Sequence, residues 1–85
     1  MSNIDEDFKV LMEEIYLSFR KNIKDILDIA IEKNEMKEYD TTKLALYIAS
    51  TLEGAILSAK ATGNIQDYVD VVAILSSYIM SFKKS

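Results

Sequence analysis

The sequence predicts an all-α protein of three helices, at about residues 5–33, 41–62 and 65–83. The chain of 85 residues has no proline and only two glycines. Its apolar residues recur every three or four positions, the spacing of amphipathic helices. Charge is uneven: the first 43 residues carry 18 charged side chains, whereas residues 44–82 carry four. The two later helices are therefore apolar around most of their circumference and need cover on two sides.

The first helix is predicted to be long and uninterrupted. Ser2 or Asn3 is the expected N-cap, and acidic residues follow in the first turn, where they favour the helix dipole. Its apolar stripe keeps one phase throughout and consists of Phe8, Met12, Ile15, Phe19, Ile23, Ile26 and Ala30, widened by Leu11, Tyr16 and Leu27. At 1.5 Å per residue this helix should overhang its neighbours by about 15 Å, so the apolar residues near its start need cover from elsewhere.

Capping residues delimit the other two helices. Asp40 is a suitable N-cap for the second helix, and Gly63 stands where a left-handed residue would end it. Asn64 then caps the third helix, with Asp67 three positions later. Lys83 and Lys84 come at the end of this helix, where positive charge is favourable.

Both later helices have a second apolar or small-residue face opposite or beside the core stripe. In the second helix, Gly54 costs about 1 kcal/mol relative to alanine, which is tolerable where another backbone must come close. A contact between two chains is the favoured explanation, and tight packing within one chain is the alternative. The expected dimer interface consists of Tyr47, Ser50, Gly54, Ser58, Ala61, Val69, Ala73, Ser76 and Met80.

Composition argues against several classes of function. Without Cys or His there are no disulfides, no thiolate chemistry and none of the commonest metal ligands. No phosphate loop or catalytic triad is present, and Glu53 shares a strip with Lys60 that suits solvent, although a buried functional carboxylate is the alternative. We expect neither catalysis nor a cofactor. The net charge of −4 argues against nucleic-acid binding by this chain.

Membrane insertion and export are not expected either. The acidic N-terminus lacks the basic region of a signal peptide. The longest uncharged run covers 12 residues, well short of the roughly 20 that span a bilayer. The sequence therefore predicts a soluble, cytoplasmic protein.

Residues 31–79 contain the turn Lys33-Asn34-Glu35, Asp40 opening a helix, the centre Leu52-Glu53-Gly54-Ala55 of that helix, and Gly63-Asn64 before the last helix. In these features they resemble the C-terminal part of a TetR-family transcriptional regulator. The resemblance implies that the last two helices pair with those of a second subunit as an intersubunit four-helix bundle. The N-terminal helix-turn-helix of the family has no counterpart, so we expect a single, fragment-like helical domain at residues 1–85 that does not bind DNA itself.

The resemblance also implies a pocket for a small apolar effector beside the first and second helices. Residues expected in its wall are Phe8, Met12, Tyr16, Phe19 and Tyr47. Structural packing is the simpler role for the tyrosines. The expected function is therefore homodimerisation with partial effector binding in a TetR-like regulator. The alternative is an unrelated helical adaptor that binds another protein through an apolar groove.

Overall fold

A computed structural model describes residues 4–84 and confirms the all-α class. The helices are α1 (Ile4–Glu32), α2 (Thr41–Thr62) and α3 (Ile65–Met80). The first turn of α1 contains Asp5, Glu6 and Asp7, as the sequence indicates. The N-cap expected at Ser2 or Asn3 lies outside the described residues.

The structure confirms the caps predicted for α2 and α3. The Asp40 carboxylate accepts a 3.1 Å hydrogen bond from the Lys43 N–H, and the Asn64 side chain accepts one of 2.9 Å from the Gln66 N–H. Gly63 has φ 67°, the left-handed conformation that ends many helices. Each cap involves residues only a few positions apart, which is why the sequence alone predicts them.

Asn34 ends α1 in the same way, with φ 62°. Its N–H donates to the Ile31 carbonyl and the Glu35 N–H donates to the Ala30 carbonyl, both at 2.9 Å. This pair of bonds is the Schellman motif, and asparagine is the residue that most readily replaces glycine at its left-handed position. The motif turns the chain sharply into the connection that leads to α2.

The last helix ends at Met80, three residues before the predicted end near residue 83. Beyond it the chain turns and pairs with the α1–α2 connection: the Lys37 N–H donates to the Phe82 carbonyl at 2.8 Å, and the Lys84 N–H donates to the Glu35 carbonyl at 2.9 Å. Met36 and Lys83 form an isolated antiparallel bridge. Lys83 and Lys84 therefore lie outside the last helical turn, because this segment has hydrogen-bond partners in the connection.

The three helices form a single layer. The middle helix, α2, packs against both α1 and α3, and no Cα of α1 lies within 8 Å of a Cα of α3. The molecule measures 55 × 32 × 14 Å, and its radius of gyration is 15.7 Å. A compact domain of this length has a radius of gyration of about 12 Å. Both broad sides of the layer are therefore open to solvent.

The buried core occupies one end of the layer, which we call the closed end. It consists of Leu27, Met36, Leu44, Ala45, Ile48 and Leu75. In α1 only Leu27 is buried among the described residues, at 7% exposure, while its neighbour Ile26 is 66% exposed. The expected stripe of α1 is thus wrong in its assignment of Ile26, because the core lies on the side of α1 that carries Ile23, Leu27 and Ala30.

Candidate interaction surfaces

The first candidate surface is the small-residue face of α2, defined as Tyr47, Ser50, Gly54, Ser58 and Ala61. All five residues are exposed. A Cβ built on Gly54 would have no atom within 4 Å. The alternative that Gly54 allows tight packing within one chain is therefore wrong for this structure, since no neighbour approaches it.

The α3 residues expected in the dimer interface are also exposed. They are Val69, Ala73, Ser76 and Met80. Residues on the other flank of α3 contact the small-residue face directly: the Tyr78 ring lies 5.4 Å from the Tyr47 ring, and the Asp67 carboxylate lies 3.5 Å from the Ser58 hydroxyl. The structure thus brings Tyr47 and Ser58 to the contact between α2 and α3. The four α3 residues expected in the dimer interface lie further around that helix, away from this contact.

The second candidate surface is the open face, defined as Phe8, Ile15, Phe19, Ile26, Ile56 and Ile65. Each of these large side chains is at least 42% exposed. The four on α1 lie within about 40° of one another around the helix. Gly54 is two residues from Ile56, so the small-residue face and the open face lie about 160° apart around α2. The layer consequently has an apolar surface on each side.

A groove of about 380 Å³ crosses the open face. Three residues of the expected effector pocket line it, namely Met12, Tyr16 and Phe19, together with residues from all three helices: Ile15, Ala49, Leu52, Glu53, Ile56 and Tyr68. The sequence predicts that the start of α1, including Met12 and Ile15, overhangs the other helices, but both residues lie beside α2. Both are about half exposed, because α2 covers only one side of α1 there.

A second groove, of about 840 Å³, borders the small-residue face. It brings together residues from both expected sites, because Met12 and Tyr16 from the pocket face Ser50 and Gly54 from the dimer interface. The remaining lining residues are Lys9, Glu13, Leu17, Glu53 and Leu57. Phe8 and Tyr47, also expected in the pocket wall, line neither groove. This groove could not be predicted from the sequence. Its walls come from α1 and α2, and the sequence of each helix does not specify how the two are rotated against one another.

The charged groups with shifted pKa values lie away from both grooves, at the closed end. The Asp28 carboxylate accepts hydrogen bonds from Lys24 Nζ at 2.7 Å and from the Thr41 hydroxyl at 2.5 Å. These two bonds, that from Lys24 first, lower the pKa of Asp28, and the bond to Asp28 raises the pKa of Lys24. The contact ties α1 to the first residue of α2 and thus has a structural role.

Aromatic rings fill the other side of the closed end. Ring centroids lie 4.9 Å apart for Tyr39 and Phe82 and 5.3 Å apart for Tyr78 and Phe82, with edge-to-face geometry. Burial among these rings, followed by the effects of Tyr39 and Tyr47, raises the pKa of the Tyr78 phenol. Tyr47 contacts the Tyr78 ring, which accounts for its absence from both grooves. Through these ring contacts, Phe82 of the C-terminal segment packs against Tyr39 and Tyr78, and Tyr78 packs against Tyr47 of α2.

No metal-binding arrangement occurs within residues 4–84, where no three acidic side chains are close enough to hold an ion. Glu53 is exposed at the edge of both grooves. It is therefore not the buried carboxylate considered as an alternative.

By length and composition, α2 could cross a membrane. The core helix of a soluble protein meets the same criterion, and α2 packs against α1 on one side and α3 on the other. The expectation that the chain stays out of the membrane remains a prediction.

Comparison with protein-family models, curated proteins and solved structures found no match to this chain. The resemblance of residues 31–79 to TetR-family regulators therefore remains an expectation from the sequence.

Proposed function

We propose that this chain is the homodimerisation and partial effector-binding module of a TetR-like transcriptional regulator, with α2 and α3 pairing across a two-fold axis as a four-helix bundle. One observation carries the proposal: the chain is a single layer of helices with exposed apolar residues on both sides. Stable domains bury such surfaces between at least two layers. A second copy of the chain supplies that layer.

The small-residue face supports a contact between chains at α2. Gly54 sits mid-helix in open space, where it destabilises α2 by about 1 kcal/mol relative to alanine. Among residues 4–84, no atom lies close enough to Gly54 to compensate for that cost. A partner backbone crossing close to Gly54 would compensate for it, because a larger side chain would hold the two helices apart.

The groove on the open face supports the effector-binding part. Ligand pockets usually enclose about 300–1,000 Å³ between mainly apolar walls with a few polar groups. The groove of about 380 Å³ falls in this range, and its polar groups are the Tyr16 and Tyr68 phenols and the Glu53 carboxylate. It has walls on α1, α2 and α3 only, so this chain would provide one side of a binding site for a small apolar molecule.

Direct reading of DNA is not part of the proposal. Phosphate contacts require clustered basic side chains, whereas this chain has a net charge of −4. Its role in regulation would be to join two subunits and to couple effector binding to that contact.

Sedimentation equilibrium of the chain and of Gly54→Leu tests the proposal. We expect the parent to have a mass of at least twice 9.7 kDa. The free energy of association of the variant should be less favourable by about 1–3 kcal/mol, because the added side chain overpacks the helix crossing. In the isolated chain the leucine meets open space, so helicity by circular dichroism should not fall.

Gly54→Ala is the matched control. It should stabilise α2 by about 1 kcal/mol and weaken association less than leucine does. A parent chain that stays a 9.7 kDa monomer would contradict the proposal and favour the helical adaptor instead. An associated parent that tolerates Gly54→Leu would place the contact elsewhere.

A further inference from the structure

Three side chains separate the two grooves. Met12, Tyr16 and Glu53 line both the groove of about 380 Å³ on the open face and the groove of about 840 Å³ beside the small-residue face. We call these three residues the partition. The two grooves therefore lie on either side of one thickness of side chains, at the seam between α1 and α2. A movement of the partition that enlarges one groove narrows the other.

Tyr16 is the member of the partition that fills the seam. Among residues 4–19 of α1 it is the only half-buried side chain, and the others are exposed. The α2 residues beside it are small in both grooves: Ala49 lines the groove on the open face, and Ser50 and Gly54 line the other. A Cβ built on Gly54 would have no atom within 4 Å, so the phenol ring has space on that side.

The position of the Tyr16 ring bears on both parts of the proposed function. The Arg20 guanidinium lies 5.7 Å from the ring centroid, but it belongs to α1 itself and does not tie the ring to α2. The groove beside the small-residue face is the larger of the two, so a molecule that fills the groove on the open face moves the ring toward Ser50 and Gly54. A partner helix that crosses at Gly54 needs the same space. Binding of the molecule and pairing of the subunits therefore compete for the position of one ring.

We propose that Tyr16 is a movable gate between the two grooves, through which a small apolar molecule bound on the open face weakens the contact between subunits at Gly54. This inference rests on the proposed function, because it couples the effector groove to the dimer contact. A ligand shifts an equilibrium only by its differential affinity for the two states. Here the molecule favours the ring beside Gly54, whereas the partner helix favours the ring on the open-face side. Thermodynamic linkage makes the effect reciprocal, so association should weaken binding of the molecule by the same factor.

Fluorescence titration with N-phenyl-1-naphthylamine, a neutral apolar fluorophore, tests the coupling. Its dissociation constant is measured at chain concentrations below and above the midpoint of association. We expect the constant to rise on association by about 5- to 150-fold, the usual range for coupled sites. Tyr16→Ala removes the ring and should abolish this rise. Tyr16→Phe, which keeps the ring, and Val10→Ala, at an exposed α1 residue that lines neither groove, should both retain it.

A second experiment does not require association. Leu57 lines the groove beside the small-residue face, and the natural chain has no cysteine, so Leu57→Cys can be modified there with N-phenylmaleimide. The adduct occupies the space into which the Tyr16 ring would move and should weaken binding of the fluorophore by about fivefold or more. With Tyr16→Ala in the same chain, the adduct should have no effect. The same adduct on Val10→Cys is the control and should have no effect either.

The outcomes separate this inference from the proposed function. Coupling that persists in Tyr16→Ala would overturn the inference and leave both dimerisation and effector binding in place. A monomeric parent would overturn the dimer and with it the effect on the subunit contact, and the Leu57→Cys adduct would then decide whether the ring links the two grooves. A parent that does not bind the fluorophore would overturn both the effector groove and the gate.

Discussion

The two ends of the helical layer differ in what holds them together. At the closed end, Leu27, Leu44 and Leu75 from three helices meet in one core, and backbone hydrogen bonds join the α1–α2 connection to the C-terminal segment. The N-terminal half of α1, residues 4–18, has no buried side chain and contacts only α2. The chain alone completes its core at one end only. The other end exposes large apolar side chains such as Phe8 and Ile15 on one side of α1, and no second layer of the described residues covers them.

This difference indicates which end of the chain should be the more stable in the absence of a partner. Local stability follows the density of buried contacts. The closed end should therefore remain structured in an isolated chain, and the first turns of α1 should open most readily. The proposed association should stabilise the open end far more than the closed end.

The largest effect is expected when the core of the closed end loses volume. Leu44 is 2% exposed, so Leu44→Ala should lower the free energy of unfolding by about 2–5 kcal/mol. Leu57→Ala, on the same helix at 69% exposure, should change it by less than about 0.5 kcal/mol in the isolated chain. Urea denaturation followed by circular dichroism at several chain concentrations measures both. Equal losses would contradict the division into two ends.

A smaller effect is expected at the N-cap of α2. Asp40→Ala removes the acceptor for the Lys43 N–H and should cost about 1 kcal/mol. Asp40→Asn keeps a side-chain oxygen and should be nearly neutral. The measurement is again the free energy of unfolding. If the asparagine variant loses as much as the alanine variant, the charge and not the hydrogen bond is responsible.

A pH dependence is expected at the contact between Asp28, Lys24 and Thr41. Because the folded pKa of Asp28 is lowered from 3.8, its contribution is present above that value and is lost as the pH falls through the lowered pKa. The pKa of Lys24 is raised from 10.5, so its contribution is lost only as the pH rises through the raised pKa. The contact should therefore be intact across neutral pH.

NMR titration of the Asp28 carboxyl carbon measures the part that Thr41 contributes. Thr41→Val removes the hydroxyl donor and should raise the pKa of Asp28, while Thr41→Ser, which keeps the hydroxyl, should leave it low. An unchanged pKa in the valine variant would mean that Lys24 alone is responsible.

The smallest expected effect is on DNA binding. At about 0.15 M salt, scattered lysines are already screened, so specific binding to duplex DNA by this chain should be undetectable by fluorescence anisotropy. Salt-sensitive binding that Arg20→Gln or Lys21→Gln weakens would instead indicate a basic site at the middle of α1.

Much of the local structure could be predicted from particular residues. Asp40, Gly63 and Asn64 mark helix ends through hydrogen bonds or dihedral angles that involve only their immediate neighbours. The C-terminal segment could not be predicted in this way. Its partner, the connection around Met36, is more than 40 residues away, and only folding brings the two together.

The sequence indicated which residues are candidates for the two surfaces, but not where the fold places them relative to one another. Gly54 and the α3 residues Val69, Ala73, Ser76 and Met80 are exposed, and their place in a dimer interface remains a prediction. The pocket residues divide, with Met12, Tyr16 and Phe19 at the open-face groove and Phe8 and Tyr47 elsewhere. In α1 the buried residue is Leu27, which the sequence placed at the edge of the stripe, while Ile26 of the stripe is exposed and Ile23 and Ala30 pack against the core.

The sequence by itself determined the helical class, the three segments, the caps and the excess of apolar surface, because these depend on periodicity and on hydrogen bonds between near neighbours. Tertiary structure decided which side of each helix is buried, how the two grooves form and that the chain makes one layer. The physical reason is that each helix has more apolar surface than one neighbour can cover. Its rotation is therefore set by the packing of Leu27, Leu44 and Leu75 against one another, which no single segment specifies.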